Sequence, residues 1–151
     1  MTAISSGSEV QLYIGASTAD PLPAPGSDTF TKIPQLKTFT VPEPSKSAAK
    51  ENTLDGVTIA SVSTPSWSNG VGQLLTNYTQ TPHNTMLADV ALGGRKRNWY
   101  TIEPDAGGRR TDFQGELIRM AGGAYTATTE APSARPHDFE IAVSGIPLVT
   151  P

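Results

Sequence analysis

The sequence predicts a mainly β, mostly antiparallel domain with one short α-helix and a long polar excursion. Fourteen glycines and thirteen prolines among 151 residues favour many turns and short strands. Several segments alternate apolar and polar residues with the two-residue period of a half-buried strand. One segment alone has the spacing and the end signals of a helix. The length suits a single domain spanning residues 1–151.

The first predicted elements are short strands separated by proline-rich turns. Over Glu9–Ile14 the apolar residues fall on one strand face, and Gly15 ends the segment. A loop with three prolines follows, in which a regular strand ladder is disfavoured. Phe30–Ile33 and Leu36–Val41 are then predicted as two short strands interrupted by Pro34.

The middle of the chain contains a long polar excursion, predicted over about residues 45–72. After Pro44 no apolar pattern returns until Leu54, and a strand is predicted from Val57 to about Ser63. Residues 45–52 have weak helical character without an apolar stripe, and we expect them to be mobile in an isolated subunit. Residues 64–72 are predicted as turns around Trp67. The excursion therefore carries too little apolar surface to contribute to its own core.

The helix is predicted between Thr81 and the glycine pair at 93–94. Thr81 can cap it, Pro82 fits its first position, and the glycines suit a left-handed C-cap. Met86, Leu87, Val90 and Ala91 form an apolar stripe at helical spacing. A strand over Gln73–Thr79 is predicted to precede the helix.

The C-terminal half is predicted to form a β-hairpin and a final strand. Asn98–Glu103 and Arg110–Met120 flank a glycine-rich turn, and Gly115 marks a bulge or bend in the second strand. Asp138–Ser144 alternates clearly and predicts the last strand, followed by a short irregular tail over residues 145–151.

Composition excludes several classes of function. A net charge of -3 and a pI of about 5.3 do not attract nucleic acid in bulk. The absence of cysteine removes disulfides, thiol catalysis and thiolate metal sites. No apolar run approaches the roughly 20 residues that span a bilayer, so no membrane partner is expected. The first ten residues lack the basic start and the apolar stretch of a secretory signal.

No group of residues indicates an enzyme, a cofactor or a metal site. His83 and His137 lack metal-ligand spacing, and we expect each to be solvent-exposed or locally bonded. The sequence has no G-x-S-x-G motif. Asp138 and Glu140 share a strand face, as solvated strands often do, and Glu103 with Asp105 is a comparable pair. The Gly-Gly pairs lack the Lys-Ser or Lys-Thr of a phosphate loop.

Two basic clusters and one tryptophan are candidates for contacts with partners. The clusters, residues 95–97 and 109–110, are predicted in loops without the interleaved aromatic residues of a nucleic-acid stacking surface. Trp67 is the only large aromatic residue in a segment of Ser, Thr, Asn and Gly. It either folds back on its own domain or anchors a subunit contact, where aromatic residues are enriched.

The order of these pieces resembles the tail tube (major tail) proteins of long, non-contractile-tailed phages of the lambda type. The resemblance runs from about Glu9 to Pro147, and its most characteristic stretches are KTFTVPEPSKSAAKENTLDG, FQGELI and the closing strand with Ser-Gly-Ile-Pro. It implies an antiparallel β-sandwich or partly rolled barrel flanked by the helix. It also implies hexameric rings stacked head-to-tail into a hollow tube, through which DNA leaves the capsid.

The resemblance also implies partners and a location. The partners are further copies of the chain, the tape measure protein, and the tail terminator and tail tip proteins, with DNA passing transiently through the lumen. The protein would reside in the tail of the virion after synthesis in the cytoplasm of the host bacterium. The long loop of this family contacts the neighbouring ring, which would explain why the excursion buries so little in its own subunit.

Ten residues are predicted to contribute to subunit contacts. They comprise four charged residues of the excursion, the basic residues outside it, and one aromatic anchor: Lys46, Lys50, Glu51, Asp55; Arg95, Lys96, Arg97, Arg109, Arg110; and Trp67. Two alternatives remain open at this point. One is a tube-like or connector protein of a contractile tail or secretion system. The other is a stand-alone β-sandwich binding module, for example for carbohydrate.

Overall fold

The computed structural model describes residues 10–24, 27–75, 81–104, 107–122 and 136–151. Within these ranges the chain forms eleven strands and one helix. In chain order they are β1 (Gln11–Gly15), β2 (Phe30–Lys32), β3 (Leu36–Thr40), β4 (Pro44–Ser45), β5 (Ala48–Asn52), β6 (Thr58–Val62), β7 (Ser66–Trp67), β8 (Gly70–Leu75), α1 (Thr81–Leu92), β9 (Lys96–Glu103), β10 (Arg109–Gly122) and β11 (Pro136–Thr150).

Seven strands form one antiparallel sheet in the order β2-β1-β9-β10-β11-β8-β3. The two edge strands, β2 and β3, are separated in sequence only by residues 33–35. In a flat sheet they would lie about 29 Å apart, six inter-strand spacings of about 4.8 Å. Four Cα–Cα steps reach at most about 15 Å, so the sheet has to curl to bring its edges together. The result is a half-barrel with one helix, and the mainly β prediction is confirmed.

The concave side of the curled sheet holds the apolar core. Trp99 is buried near its centre, and its indole N–H donates to the carbonyl oxygen of Gly115 at 3.1 Å. Phe39 and Phe139 stack at 5.9 Å between ring centroids, with the Phe139 ring against Gly72, where a Cβ would lie 2.5 Å from a ring carbon. The remaining fully or largely buried apolar residues are Leu12, Ile14, Ile33, Leu74, Met86, Phe113, Leu117 and Ile141.

The helix covers this core through a face that is partly polar. Met86 is buried, and so are His83 and Asp89. The His83 ring N–H at Nε2 donates to the Pro34 carbonyl oxygen at 2.9 Å, which ties the first turns of α1 to the corner between β2 and β3. His137 is also buried, in β11. Neither histidine is solvent-exposed, because both lie where the helix or a central strand meets the core.

The structure corrects four local predictions. Residues 64–72, predicted as turns around Trp67, contain β7 and the start of β8 at Gly70. Residues 45–52, predicted as weakly helical, contain Ser45 of β4 and all of β5, because Ala48–Asn52 finds a cross-strand partner in Thr58–Val62. The tail predicted as irregular continues β11 to Thr150, which pairs with Arg110. Gly115 pairs in register with Val143, and the register shifts of β10 fall on either side of it, between Asp112 and Gln114 and between Leu117 and Arg119.

Other predictions fall wholly or partly on residues outside the described ranges. These are the start of the first strand at Glu9, residues 76–79 of the predicted strand before the helix, positions 105–106 of the glycine-rich turn, and residues 123–135. The strand that precedes the helix is described as far as Leu75.

Candidate subunit interface

The excursion forms a two-stranded arm, defined here as residues 44–67. Near its base β4 pairs with β7, and farther out β5 pairs with β6. Neither of these small sheets joins the seven-stranded sheet. Between the two small sheets, Ser47 and Ser63 link the two strands of the arm. The Ser47 amide donates to the Ser63 hydroxyl oxygen at 2.9 Å, and the Ser63 amide donates to the Ser47 carbonyl oxygen at 2.8 Å. An isolated two-stranded hairpin is only marginally stable in water. Each sheet of the arm has two strands, so the arm needs further packing to be stable.

In the two outer strands of the arm, β5 and β6, none of the side chains that the structure describes is buried. Every residue of β5 is exposed, including Lys50 and Glu51, and Lys46 between the two small sheets is exposed as well. Val62 in β6 is 62% exposed. A strand normally buries one of its two faces, so this arm has two faces open to a partner.

The tip of the arm is a hydrogen-bonded turn that presents a leucine. The Thr53 amide donates to the Val57 carbonyl oxygen at 2.8 Å, and the Gly56 amide donates to the Thr53 carbonyl oxygen at 3.1 Å. The Thr53 hydroxyl contacts both the Asp55 carboxylate and the Val57 carbonyl oxygen. Gly56 has a φ of 82°, a conformation that suits glycine. The side chain of Leu54 is fully exposed on this turn.

Asp55 therefore acts first within its own turn. The hydrogen bond from the Thr53 side chain, followed by a backbone hydrogen bond, holds the pKa of Asp55 below its usual value. A carboxylate that accepts hydrogen bonds is stabilised in its charged form. The sequence placed Asp55 among the ionic contacts, and its position in the structure adds a role in shaping the tip.

The base of the arm borders a cavity of about 340 Å³. Trp67 is half-buried there beside Pro44, and its indole N–H has no acceptor among the described residues. At the rim Arg109 and Glu103 form an ion pair at 2.9 Å. Trp67 thus folds back on its own domain, one of the two predicted roles, and its unpaired indole N–H is itself buried.

Arg97 is the predicted contact residue that the structure places inside the subunit. It is buried, and its guanidinium pairs with the Asp89 carboxylate of α1, one N–H···O distance being 3.0 Å. It also donates to the carbonyl oxygens of Gly15 and Ala16 at 3.0 and 3.2 Å. A buried guanidinium needs this full set of partners. Arg97 fastens the helix to the end of β1, and we do not include it in the interface.

Arg110 belongs to an aromatic cluster that the sequence did not reveal. Its guanidinium lies 3.8 Å from the centroid of the Tyr100 ring and makes two hydrogen bonds of 2.9 Å to Asp112. Tyr100 stacks on Tyr13 at 4.3 Å and meets Phe30 edge-on at 4.7 Å. Burial raises the pKa of Tyr100, and the Asp112 hydrogen bond raises that of Arg110. The prediction that both basic clusters lie in loops was wrong, because Lys96 and Arg97 begin β9 and Arg109 and Arg110 begin β10. The strands β1, β2, β9 and β10 bring the aromatic residues to Arg110.

The arm and the first basic cluster lie at opposite ends of the sheet. Strand β9 begins at Lys96 and ends at Glu103, which borders the cavity at the base of the arm. Seven residue steps separate Lys96 from Glu103, about 23 Å at about 3.3 Å per residue. Arg95 and Lys96 are both exposed. Arg109 and Arg110 pair with the other end of β9 and so lie on the side of the arm.

The described residues contain no group of three or more His, Asp or Glu side chains placed to hold a metal ion. The helix that the structure describes is too short to cross a membrane.

Comparison with known proteins identifies the fold. No protein-family model matches the sequence, and a search of curated proteins found no match. A chain of the PVC sheath/tube terminator, from an extracellular contractile injection system in the extended state, superposes with a TM-score of 0.64 at 10% identity, over 94% of this chain and 93% of that one.

Two further structures agree with it. A chain from the tail of an empty gene transfer agent particle, determined with C6 helical symmetry, gives a TM-score of 0.64 at 12% identity, over 97% of this chain and 99% of that one. A chain of the PVC sheath–tube complex gives a TM-score of 0.63 at 9% identity, over 95% of this chain and 88% of that one. At these identities the likeness concerns the fold, and the chain shares nearly its whole length with chains from phage-like tails.

Proposed function

We propose that this chain is a structural subunit of a tail tube, six copies of which form a ring. The rings stack head-to-tail into a hollow tube that conducts DNA from the capsid to the host. The observation that carries the proposal is the arm, residues 44–67, whose strands, among the described residues, pair with each other and not with the seven-stranded sheet of the tail-type half-barrel. The sixfold symmetry of the matched gene transfer agent tail supports the ring.

The energetics favour contacts between copies over a free arm. Fixing one residue of backbone costs roughly 1–2 kcal/mol. A stable protein interface buries about 1,600 Å², and a repeated contact of this class offsets that ordering cost. Contacts between unlike ends of the subunit continue from one ring to the next, as heterologous interfaces do. The arm lies at the Glu103 end of β9, and the exposed residues Arg95 and Lys96 lie at its other end, which suits this arrangement.

The charge of the chain is compatible with a conduit for DNA. A subunit with a net charge of -3 does not attract phosphate overall. An acidic inner wall would let DNA slide without binding. The role is structural, and the proposal assigns no catalysis, cofactor or metal to the subunit.

The finer part of the proposal is a non-contractile tail of the lambda type. Its partners are then the tape measure, tail terminator and tail tip proteins, and the subunit resides in the virion tail after synthesis in the host cytoplasm. A second candidate is the tube or terminator of a contractile system. It is favoured by the match to chains of the PVC sheath–tube complex and terminator.

Electron microscopy of the purified protein tests the proposal. We expect hollow tubes with sixfold symmetry, formed without a sheath. A protein that stays monomeric at high concentration would contradict the proposal and support the stand-alone binding module. Tubes that bind a co-expressed sheath protein would assign the chain to the contractile class.

A further inference from the structure

The most exposed apolar side chain of the described residues lies at the far end of the arm. Leu54 is fully exposed, and Val57 beside it is 54% exposed. The hydrogen bonds among Thr53, Gly56 and Val57 hold the turn in one conformation. A turn that is already ordered loses little conformational freedom when it binds. The tip is therefore built as an apolar anchor on an otherwise polar arm.

A cavity of matching character lies at the opposite end of the sheet. It encloses about 350 Å³ between the end of β1, strand β2 and the first turns of α1. Gly15 lines it without a side chain, and the Arg97 guanidinium is held in place by Asp89 and two carbonyl oxygens. The other lining residues are apolar or carry a methyl group: Ile14, Ala16, Thr31, Thr81, Pro82 and Thr85.

We propose that Leu54 of one copy enters this cavity in the copy of the next ring. The inference rests on the proposed tube function and names the contact through which successive rings join. The arm leaves the subunit at the Glu103 end of β9, whereas the cavity includes Ile14, which pairs with Trp99 nearer the start of that strand. In a head-to-tail stack those two ends face each other.

Charge complementarity supports the same pairing. The amides of the first turn of a helix carry partial positive charge, and Thr81 and Pro82 at the start of the twelve-residue α1 border the cavity. The Asp55 carboxylate follows Leu54 directly in the tip turn. When Leu54 is seated, Asp55 reaches the edge of the cavity where this positive potential lies. The basic residues Arg95 and Lys96 are on the same side of the subunit.

Substitution of the anchor tests the proposal. Leu54→Ser should leave the monomer folded, since the side chain contacts solvent, and should raise the concentration needed for tubes roughly 10- to 100-fold, as expected for burial of one leucine. Leu92→Ser is the matched control, because Leu92 is 63% exposed at the end of α1. It should assemble at the wild-type concentration. Circular dichroism and the thermal midpoint verify that both variants are folded.

A cross-link identifies the cavity itself. The chain has no cysteine, so Leu54→Cys combined with Ala16→Cys introduces the only two thiols. Ala16 is exposed at the mouth of the cavity, and its contact with Arg97 uses the backbone oxygen, which leaves the side chain replaceable. Oxidised tubes of the double variant should give a ladder of covalent multimers on a denaturing gel. The two single-cysteine variants should not form the ladder.

Filling the cavity provides the reciprocal test. Ala16→Trp should block assembly as Leu54→Ser does, whereas Ala88→Trp, on an exposed position of α1, should not. If Leu54→Ser forms tubes at the wild-type concentration, the inference is wrong and the tube function stands. If tubes form and the double-cysteine variant gives no ladder, the assignment of the cavity is wrong. If the wild-type protein forms no tubes, the proposed function fails and the inference fails with it.

Discussion

The half-barrel and the arm differ in burial and in the sequence separation of their paired strands. In the half-barrel, side chains such as Trp99 and Phe139 are almost completely buried, and they pair with residues distant in sequence, Trp99 with Ile14 and Phe139 with Gly72. In the arm, strands β5 and β6 join residues close in sequence and bury no described face. The half-barrel is therefore stabilised by its own apolar burial, and the arm is held by local hydrogen bonds. If the chain assembles as proposed, this difference separates folding of the subunit from its assembly.

The separation has a physical consequence for the control of polymerisation. Apolar burial contributes about 25 cal/mol per Å² to the free energy of folding, and the core of the half-barrel is buried within one subunit. In the proposed tube, the arm reaches a comparable contribution against another copy. A free subunit can thus be stable and soluble, while its arm is completed where several partner surfaces are already in place. Growth on an existing tube is then favoured over association of free subunits.

Removal of the arm should have the largest effect. Residues 48–62 can be replaced by an Asn-Gly turn between Ser47 and Ser63, whose backbones are already hydrogen-bonded. We expect a folded, soluble monomer whose thermal midpoint is close to that of wild type, and complete loss of tubes by electron microscopy. Unfolding of this variant would show that the arm stabilises the domain and would remove the distinction between the two regions.

Truncation of a side chain to alanine should cost far more stability in the half-barrel than in the arm. Phe139→Ala removes a buried ring that packs on Phe39 and Gly72, and we expect a loss of about 3–5 kcal/mol in the free energy of unfolding. Val62→Ala in the arm should change it by less than about 0.5 kcal/mol, as for an exposed position. Urea denaturation of both variants measures the difference. Equal losses would mean that the arm is packed in solution.

The half-barrel was largely predictable because its sequence carries the signals of its packing. Alternation located β1 and β11, the glycine-rich turn located β9 and β10, and the cap, proline and glycine signals located α1. These signals arise from contact with a core, which is why they weaken in the arm. There the strands were missed over residues 45–52, since β5 has two exposed faces and hence no alternation.

The site residues were harder to predict because charge alone does not fix exposure. Arg97 and Lys96 are adjacent and equally charged, yet one is buried against Asp89 and the other is exposed. Strand alternation puts neighbours on opposite faces, and only the tertiary structure shows which face meets the helix. Leu54 was overlooked for the related reason that a single apolar residue in a polar turn has no period. The sequence signal for an exposed apolar contact was the isolated leucine within the turn sequence Thr53-Leu54-Asp55-Gly56.

The tryptophan at the junction of the two regions should have an intermediate effect. Trp67 is half-buried where β7 meets the half-barrel, so Trp67→Ala should cost about 1–2 kcal/mol, less than truncation of a fully buried ring. Trp99→Phe leaves Trp67 as the only tryptophan and makes it a fluorescent reporter. We expect its acrylamide quenching to fall when tubes form. Unchanged quenching would place Trp67 outside the subunit contact.

Removal of single charges should have the smallest effects on stability, and it compares one glutamate of the half-barrel with one of the arm. Glu103→Gln breaks the ion pair with Arg109, whose side chain is 47% exposed, so the expected loss of monomer stability is about 0.2–1 kcal/mol. Glu51→Gln removes the same charge from the arm, where the structure describes no ion pair for Glu51, and should leave monomer stability unchanged. If Glu51 faces Arg95 and Lys96 of the next ring, its substitution should raise the concentration for assembly several-fold at low salt and little at high salt. Sedimentation at two salt concentrations measures this, and an effect independent of salt would argue that the rings join through apolar contacts alone.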